Sequence, residues 1–198
     1  MIHENLEQLT FAPIDNQLAA IEDAMNKKGL GTDTFIKEFE HLAEEKWIPD
    51  NGARVVAKAW RDPKFKERLL SNGRDAVSEL GLTMPAHHRH LVALPNSPKV
   101  HNVICCTLCS CTAFSIIGLP PDWYKDLDYR ARVVRESRTV LKEMGLILSA
   151  DVEIRVWDTT SDTRYMVIPE RPPNTDDWSE EELASLVTKE SMIGVAKI

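Results

Sequence analysis

All four cysteines of the chain fall within seven residues, in the stretch "HNVICCTLCSCTAF" from His101 to Phe114. Whatever thiol chemistry the protein performs is confined to Cys105, Cys106, Cys109 and Cys111, and the rest of the fold must present that one place. The N-terminus, "MIHENLEQLTFAPIDNQ", has neither the basic start nor the apolar centre of a secretory signal, so a cytoplasmic address is expected. In that reducing compartment clustered cysteines read as metal-binding or catalytic rather than as disulfides.

The flanking patterns say what carries the cluster. With 198 residues, 43% hydrophobic and 28% charged, the chain can bury a substantial core. A net charge of −7 argues against nucleic acid as the main partner, and no apolar run approaches the ~20 residues of a membrane span. Residues 1–86 read as short helices and 87–198 as mixed helix and strand. The expected class is therefore α+β: an extended helical arm, largely partner-contacting, then a layered α/β metal-binding domain with short strands.

In the arm, "DNQLAAIEDAMNKKG" offers a cap at Asp15 and a stop at Gly29. "TDTFIKEFEHLAEEKW" places Phe35, Ile36, Phe39 and Leu42 on one side, where burial is expected. "GARVVAKAW", "PKFKERLLSNG" and "GRDAVSELG" complete the set, with Pro63 at a first-turn position. Beyond it, "HLVAL" and "KVHNVICC" read as strands. "DLDYRARVVRESRTVLKEMG" reads as a long helix burying Val133, Val134, Val140 and Leu141. "VEIRVWDTT" and "TRYMVIPER" alternate as a strand pair joined by "TSD", and Ser179 with Glu182 forms a capping box. The cysteines thus lie where a strand gives way to a loop.

Chelation geometry sets the candidates. In Cys109-Ser110-Cys111 two sulfurs flank the backbone nitrogens of Ser110 and Cys111. A metal held by those four atoms closes one six-membered and two five-membered rings in a square plane. Cys106 can supply an axial thiolate, leaving the sixth position open, and anionic donors of this kind favour a trivalent low-spin ion, Co(III) or Fe(III). Three other readings stay open on spacing alone. Tetrahedral zinc would need a fourth ligand, from His101 or from "HHRH" at 87–90. An iron–sulfur cluster would need Cys105 and Cys106 as adjacent ligands. A redox Cys-X-X-Cys pair would leave Cys111 without a role. Among the remaining polar residues, "HHRH" reads as an exposed strand entry. Arg130, Arg132 and Arg135 read as a solvated or subunit-facing stripe. Asp158 and Asp162 read as support, Trp123 and Tyr124 as core or interface, and Cys105 as a buried strand thiol.

"VICCTLCSCTAF", followed by "GLPPDWY", "YRARVVRESRTVL", "VEIRVWDTTSDTRYMVIPERP" and "LVTKESMIGVA", resembles the α subunit of nitrile hydratase, with the γ subunit of thiocyanate hydrolase as a cousin. The resemblance implies that Cys106 is the axial thiolate, Cys109 and Cys111 are the equatorial sulfurs, and Ser110 and Cys111 give amide nitrogens to one ion. It implies a sulfinate at Cys109 and a sulfenate at Cys111. It also implies a β-type partner whose arginines clamp those oxygens, and an activator that delivers the metal. Thr107 fits the cobalt-holding relatives, whereas Thr112 is the residue of the iron type; cobalt is favoured. Phe114 stands where a Trp is common, Ser115 where a Pro often follows, and His87 where an amide or carboxyl is frequent. Thr107, Thr112, Phe114, His87 and Arg164 are accordingly candidates for the surrounding pocket. The implied reaction is hydration of a nitrile to its amide, with Cys109, Ser110 and Cys111 at the reacting centre. The alternatives are conversion of thiocyanate to carbonyl sulfide and ammonia, and a zinc-stabilised interaction module without catalysis.

Overall fold

The computed structural model describes residues 13–198; the stretch 1–12, which carries most of the N-terminal segment read for a signal, lies outside the described residues. The chain forms two compact units, Met1–Leu42 and Ala43–Ile198.

The described part of the first unit is the helix pair α1 (Ile14–Lys27) and α2 (Thr32–His41). Asp15 does not cap α1. The helix starts one residue earlier, behind Pro13, and the Asp15 carboxylate sits in the first turn, where the helix dipole favours it. Gly29, at φ +70°, ends the helix as expected, because that left-handed backbone suits a residue without Cβ. The burial expected for Phe35, Ile36, Phe39 and Leu42 is not found: all four are exposed, as are Ile14, Leu18 and Ile21. A pair of short helices offers one another too little surface to enclose two apolar stripes.

A π-helical turn, Leu42–Lys46, leads into α3 (Pro49–Arg61), α4 (Pro63–Ser71) and α5 (Gly73–Ser78). Pro49 and Pro63 occupy first-turn positions. The Asp62 carboxylate accepts from the Phe65 amide at 3.0 Å and Asn72 caps α5 through the Asp75 amide at 3.3 Å. Val55, Val56, Phe65, Leu69 and Val77 are wholly buried, in one core with Val103, Ile104, Met166 and Val167 of the strands. Of the stretch read as an arm, α3–α5 therefore belong to the body that carries the cysteines.

Four strands follow the expected positions: β1 (His90–Pro95), β2 (Val100–Cys105), β3 (Glu153–Asp158) and β4 (Thr163–Ile168). Their pairing corrects the hairpin read from "TSD". β3 and β4 do not pair with each other; β2 lies parallel to β3 with Cys105 opposite Asp158, and β1 lies parallel to β4 with Leu91 opposite Arg164. The connection carries the chain from one ladder to the other: the Thr159 amide donates to Cys105 O, extending the first, and the His90 amide donates to Asp162 O, opening the second, both at 3.0 Å. Alternation reports that a segment is a strand, not which edge it joins.

Between the ladders run α6 (Phe114–Ile117), α7 (Asp122–Lys125) and α8 (Leu127–Glu143), and after them α9 (Glu180–Ser185) and α10 (Lys189–Ile193). In α8 Val133, Val140 and Leu141 are buried, but Val134 is 45% exposed, a correction explained by its position one residue, or about 100°, around from Val133. The Ser179–Glu182 capping box is present, and Thr188 with Ser191 forms a second. The α10 terminus at Gly194, φ +94°, presses on β2 so closely that a Cβ there would lie 2.0 Å from Asn102 O.

Candidate metal centre

The buried strand β2 delivers its last residue, Cys105, into the core. That thiol is fully enclosed and pushed up to about 12, first by burial and then by the charge of Asp158, so it takes no part in neutral-pH chemistry. One residue on, the ladder ends and the chain turns outward without regular structure. In this turn the Sγ atoms of Cys106 and Cys109 lie 3.3 Å apart and those of Cys109 and Cys111 lie 2.8 Å apart, with all three thiols free. The three sulfurs fall within 4.8 Å of one another, graded from buried Cys106 through half-buried Cys111 to exposed Cys109. The site is thus anchored in the protein on one side and open on the other.

The thiols are electrostatically unequal. Burial raises Cys106, yet hydrogen bonds from the Thr159 hydroxyl and the Cys109 and Cys111 amides outweigh it and bring the group down to about 7. Burial and the neighbouring Cys109 push Cys111 up to about 12, against the pull of the Arg164 guanidinium. Cys106 therefore ionises far more readily than Cys111, whose proton a bound cation would displace.

The turn is held from several sides. The Arg130 guanidinium on α8 donates to Cys106 O at 2.9 Å and Thr107 O at 2.8 Å. The Asp158 carboxylate at the end of β3 accepts from the Thr107 amide at 2.9 Å and its hydroxyl at 2.5 Å. Tyr124 donates its hydroxyl to Cys111 O at 3.2 Å, and Thr159 does so at 3.4 Å. Tyr124 is fully buried, as expected of a core residue. Of the arginine stripe, Arg135 is exposed and Arg132 is half-buried and ion-paired to Asp128, Glu136 and Glu143; Arg130 instead donates to the backbone of the thiol turn, a role its helical spacing does not announce.

The pocket candidates divide. Phe114 stacks edge-on against Trp47 at 4.7 Å and against His88 at 5.0 Å between ring centroids, forming an aromatic wall beside the turn. The exposed-entry reading of "HHRH" holds for His87, Arg89 and His90 but not for His88, which is 1% exposed. Burial first, then the charges of Arg164, His87 and Arg74, lower His88 to about 4, so it is neutral at physiological pH. His87, the residue singled out, lies outside it with the two rings 4.3 Å apart. Arg74 fixes this loop by donating to the carbonyls of Met84, Pro85 and His88. A donor fork of this kind, ten or more residues from its acceptors, leaves no local pattern to find. Arg164 is 3% exposed and donates to Thr160 O at 2.7 Å and Thr163 O at 3.0 Å. Asp162 accepts from the Thr160 and Thr163 hydroxyls and supports that turn.

The donor set fits a thiophilic transition metal. Three sulfurs suit cobalt, iron or zinc and not magnesium or calcium. Among the described residues no histidine or carboxylate joins the sulfur cluster. His101 is committed elsewhere, with Nε2 2.8 Å from Gly194 O and Nδ1 3.2 Å from Asn96 Nδ2, so tetrahedral zinc finds no fourth ligand there. Among the described residues, four buried polar side-chain atoms, His88 Nδ1, Thr112 Oγ1, Ser115 Oγ and Arg164 Nε, have no protein partner. Thr112 and Ser115 follow the thiols in the chain, and the charges of Arg164 act on both Cys111 and His88. Unspent hydrogen-bonding capacity of this kind suits a centre that handles water or oxyanions.

The chain is similar to known proteins along most of its length. A family profile described as nitrile hydratase, alpha chain, matches residues 12–196. The cobalt-containing nitrile hydratase subunit alpha of Pseudonocardia thermophila is 46% identical over 92% of this chain and 89% of its own. The structure of a double histidine-to-alanine mutant of the Fe-type nitrile hydratase from Comamonas testosteroni Ni1 superposes with a TM-score of 0.85 and 53% identity, over 93% of this chain and 89% of that one. Thiocyanate hydrolase subunit gamma of Thiobacillus thioparus is 42% identical over 75% of this chain and 65% of its own. By its sulfur cluster, its fold and its sequence from end to end of the described body, this chain belongs to the nitrile hydratase α-chain family.

Proposed function

We propose that the chain is the metal-binding catalytic subunit of a nitrile-hydrating enzyme, holding one cobalt or iron ion on Cys106, Cys109 and Cys111. The observation that carries the reading is the convergence of those three sulfurs within 4.8 Å on a turn that is anchored inside and open outside. Cys106, Cys109 and Cys111 would hold the ion through their sulfurs, with the backbone amide nitrogens of Ser110 and Cys111 completing the donor set. Co(III) is favoured over Fe(III), on Thr107. When bound, the ion supplies Lewis acidity to polarise a carbon–nitrogen triple bond.

The chain's own groups do the rest. With Cys109 as sulfinate and Cys111 as sulfenate, the sulfur oxygens would accept hydrogen bonds, and the Cys111 oxygen would either attack the nitrile carbon, to be replaced afterwards by water, or take a proton from attacking water. The cationic Arg164 beside Cys111 favours an anionic oxygen on that sulfur. Trp47 and Phe114, backed by the buried neutral His88, would give an organic substituent an apolar surface. Thr112 would contribute a buried hydroxyl with spare capacity, and the exposed His87 would line the outer rim.

Family α subunits work with β subunits, and the exposed faces of α1 and α2 are proposed as this chain's contribution to that contact, together with the exposed tip at Leu108. A cytoplasmic address and delivery of the metal by an activator complete the proposal; among the described residues no helix is long and apolar enough to cross a membrane. The second reading, thiocyanate conversion, is favoured by the similarity to thiocyanate hydrolase subunit gamma. The apolar wall favours an organic nitrile over a small anion. Co-expression with the neighbouring reading frames in cobalt-supplemented medium tests both: amide release from a nitrile panel supports the first reading, and carbonyl sulfide from thiocyanate with no amide would replace it with the second.

A further inference from the structure

The Cys106–Thr107 peptide group is held at both ends by opposite charges. Its carbonyl accepts from Arg130 Nε at 2.9 Å, and its N–H donates to Asp158 Oδ1 at 2.9 Å. The grip extends to either side of the same residue: Arg130 Nη2 donates to Thr107 O at 2.8 Å, and the Thr107 hydroxyl donates to Asp158 Oδ2 at 2.5 Å. Four charge-assisted hydrogen bonds therefore converge on Thr107 and the peptide carbonyl that precedes it, in a turn that has no regular structure. The two charged groups come from different elements, α8 and the end of β3. Neither is positioned to contact a substrate through Thr107; both act on the backbone that separates Cys106 from Cys109.

Three sulfurs this close need such a device. At 2.8–3.3 Å the sulfurs crowd one another's van der Waals shells, and an irregular loop free to relax would spread them. The geometry points to Arg130 and Asp158 as positioning residues that clamp Thr107 and hold the three thiols in ligating array before a metal arrives, so that the clamp governs metal uptake and the field the ion experiences. The inference rests on the metal-binding reading above and deepens it: the site is built in the folded chain and loaded afterwards, unlike metal sites that form only as the chain folds around the ion. Thr107 matters through its hydroxyl, which makes serine an adequate replacement and valine not.

The test uses full-length chain co-expressed with its partner. Metal-free protein, wild type or carrying Arg130→Met, Thr107→Val or Thr107→Ser, is mixed with cobalt under reducing conditions. Bound metal is followed by elemental analysis and by the sulfur-to-metal charge-transfer band, and the alkylation rate of Cys109 in the metal-free protein reports how tightly the turn is held. Arg130→Met and Thr107→Val are expected to slow uptake by about tenfold or more, the scale of losing a hydrogen bond to a charged group. Both should also shift the band and speed alkylation, while the melting temperature of the body changes little and Thr107→Ser behaves as wild type. Should Arg130→Met fail to fold, Thr107→Val, which removes one exposed hydroxyl, decides the matter. Wild-type uptake rate, band and alkylation in Thr107→Val would overturn the clamp. Failure of the wild-type protein itself to bind cobalt or iron would instead overturn the metal-binding reading on which the clamp rests.

Discussion

Cysteines 106, 109 and 111 differ from Cys105 by a single structural fact: β2 ends between them. Cys105 is still on the strand and enters the core, while Cys106 begins the outward turn. Replacing Cys111 by alanine removes a sulfur from the cluster, and its metal content should fall by at least about tenfold, since even partners behind a ligand alter affinity about 10- to 100-fold. Turnover should fall with it, and a Cys111→Ala protein that keeps full metal and activity would remove Cys111 from the centre. Ser110→Ala leaves the backbone nitrogen in place and should cost much less in both measurements. His88 provides a pH test. Its folded value, about 4, lies below the ordinary 6.5, so the unfolded chain takes up the proton first. The stability it contributes is complete above the unfolded value and is lost as pH falls from there toward 4. His101, also lowered by burial, adds to the same limb. Urea midpoints measured between pH 7 and 5 should therefore drop in the wild type and drop less in His88→Phe; an unchanged slope would contradict the burial argument.

Elements are where sequence and structure parted most. All four strands are legible, because alternation and β-branched runs report a pleated, partly buried segment. The parallel ladders are not, because pairing is decided by packing between β2 and β4 and by a four-residue connection that changes ladders, and neither leaves a local trace. The same limit applies around the site. The sulfur cluster is readable from spacing and Asp158 as a support, but that Asp158 and Arg130 grip the same turn from elements 20 to 50 residues away, and that His88 meets Phe114 from a loop pinned by Arg74, emerges only in tertiary structure. One element contact deserves a direct measurement. The α10 terminus rests on the strand that delivers the cysteines, so Gly194→Ala must displace Asn102 O and adopt a left-handed backbone as well. It should cost more than about 2 kcal/mol. Gly81→Ala shares the positive φ but meets nothing within 4 Å, and should cost only the conformational ~1–2 kcal/mol. Equal losses for the two in denaturant titrations would show that the α10–β2 contact is not tight.

For the whole molecule, the contrast is between a body with a continuous core and a helix pair with its apolar residues outside. Phe35, Ile36 and Phe39 are between 43% and 61% exposed, whereas Phe65 and Leu69 are wholly enclosed. Amphipathic spacing predicts both sets alike, since it identifies an apolar face and not what covers it. A chain shortened to residues 43–198 should still melt cooperatively, because its core is its own, and should lose most of its co-purification with the partner subunit. Retained co-purification would move the contact elsewhere. The account as a whole depends on a thiol triad, prepared by the fold, gripping one cobalt or iron ion. X-ray absorption at the metal edge of the partner-assembled protein tests this most directly. A six-coordinate cobalt or iron ion in a mixed sulfur and nitrogen environment is the predicted result; stoichiometric four-coordinate zinc would contradict it.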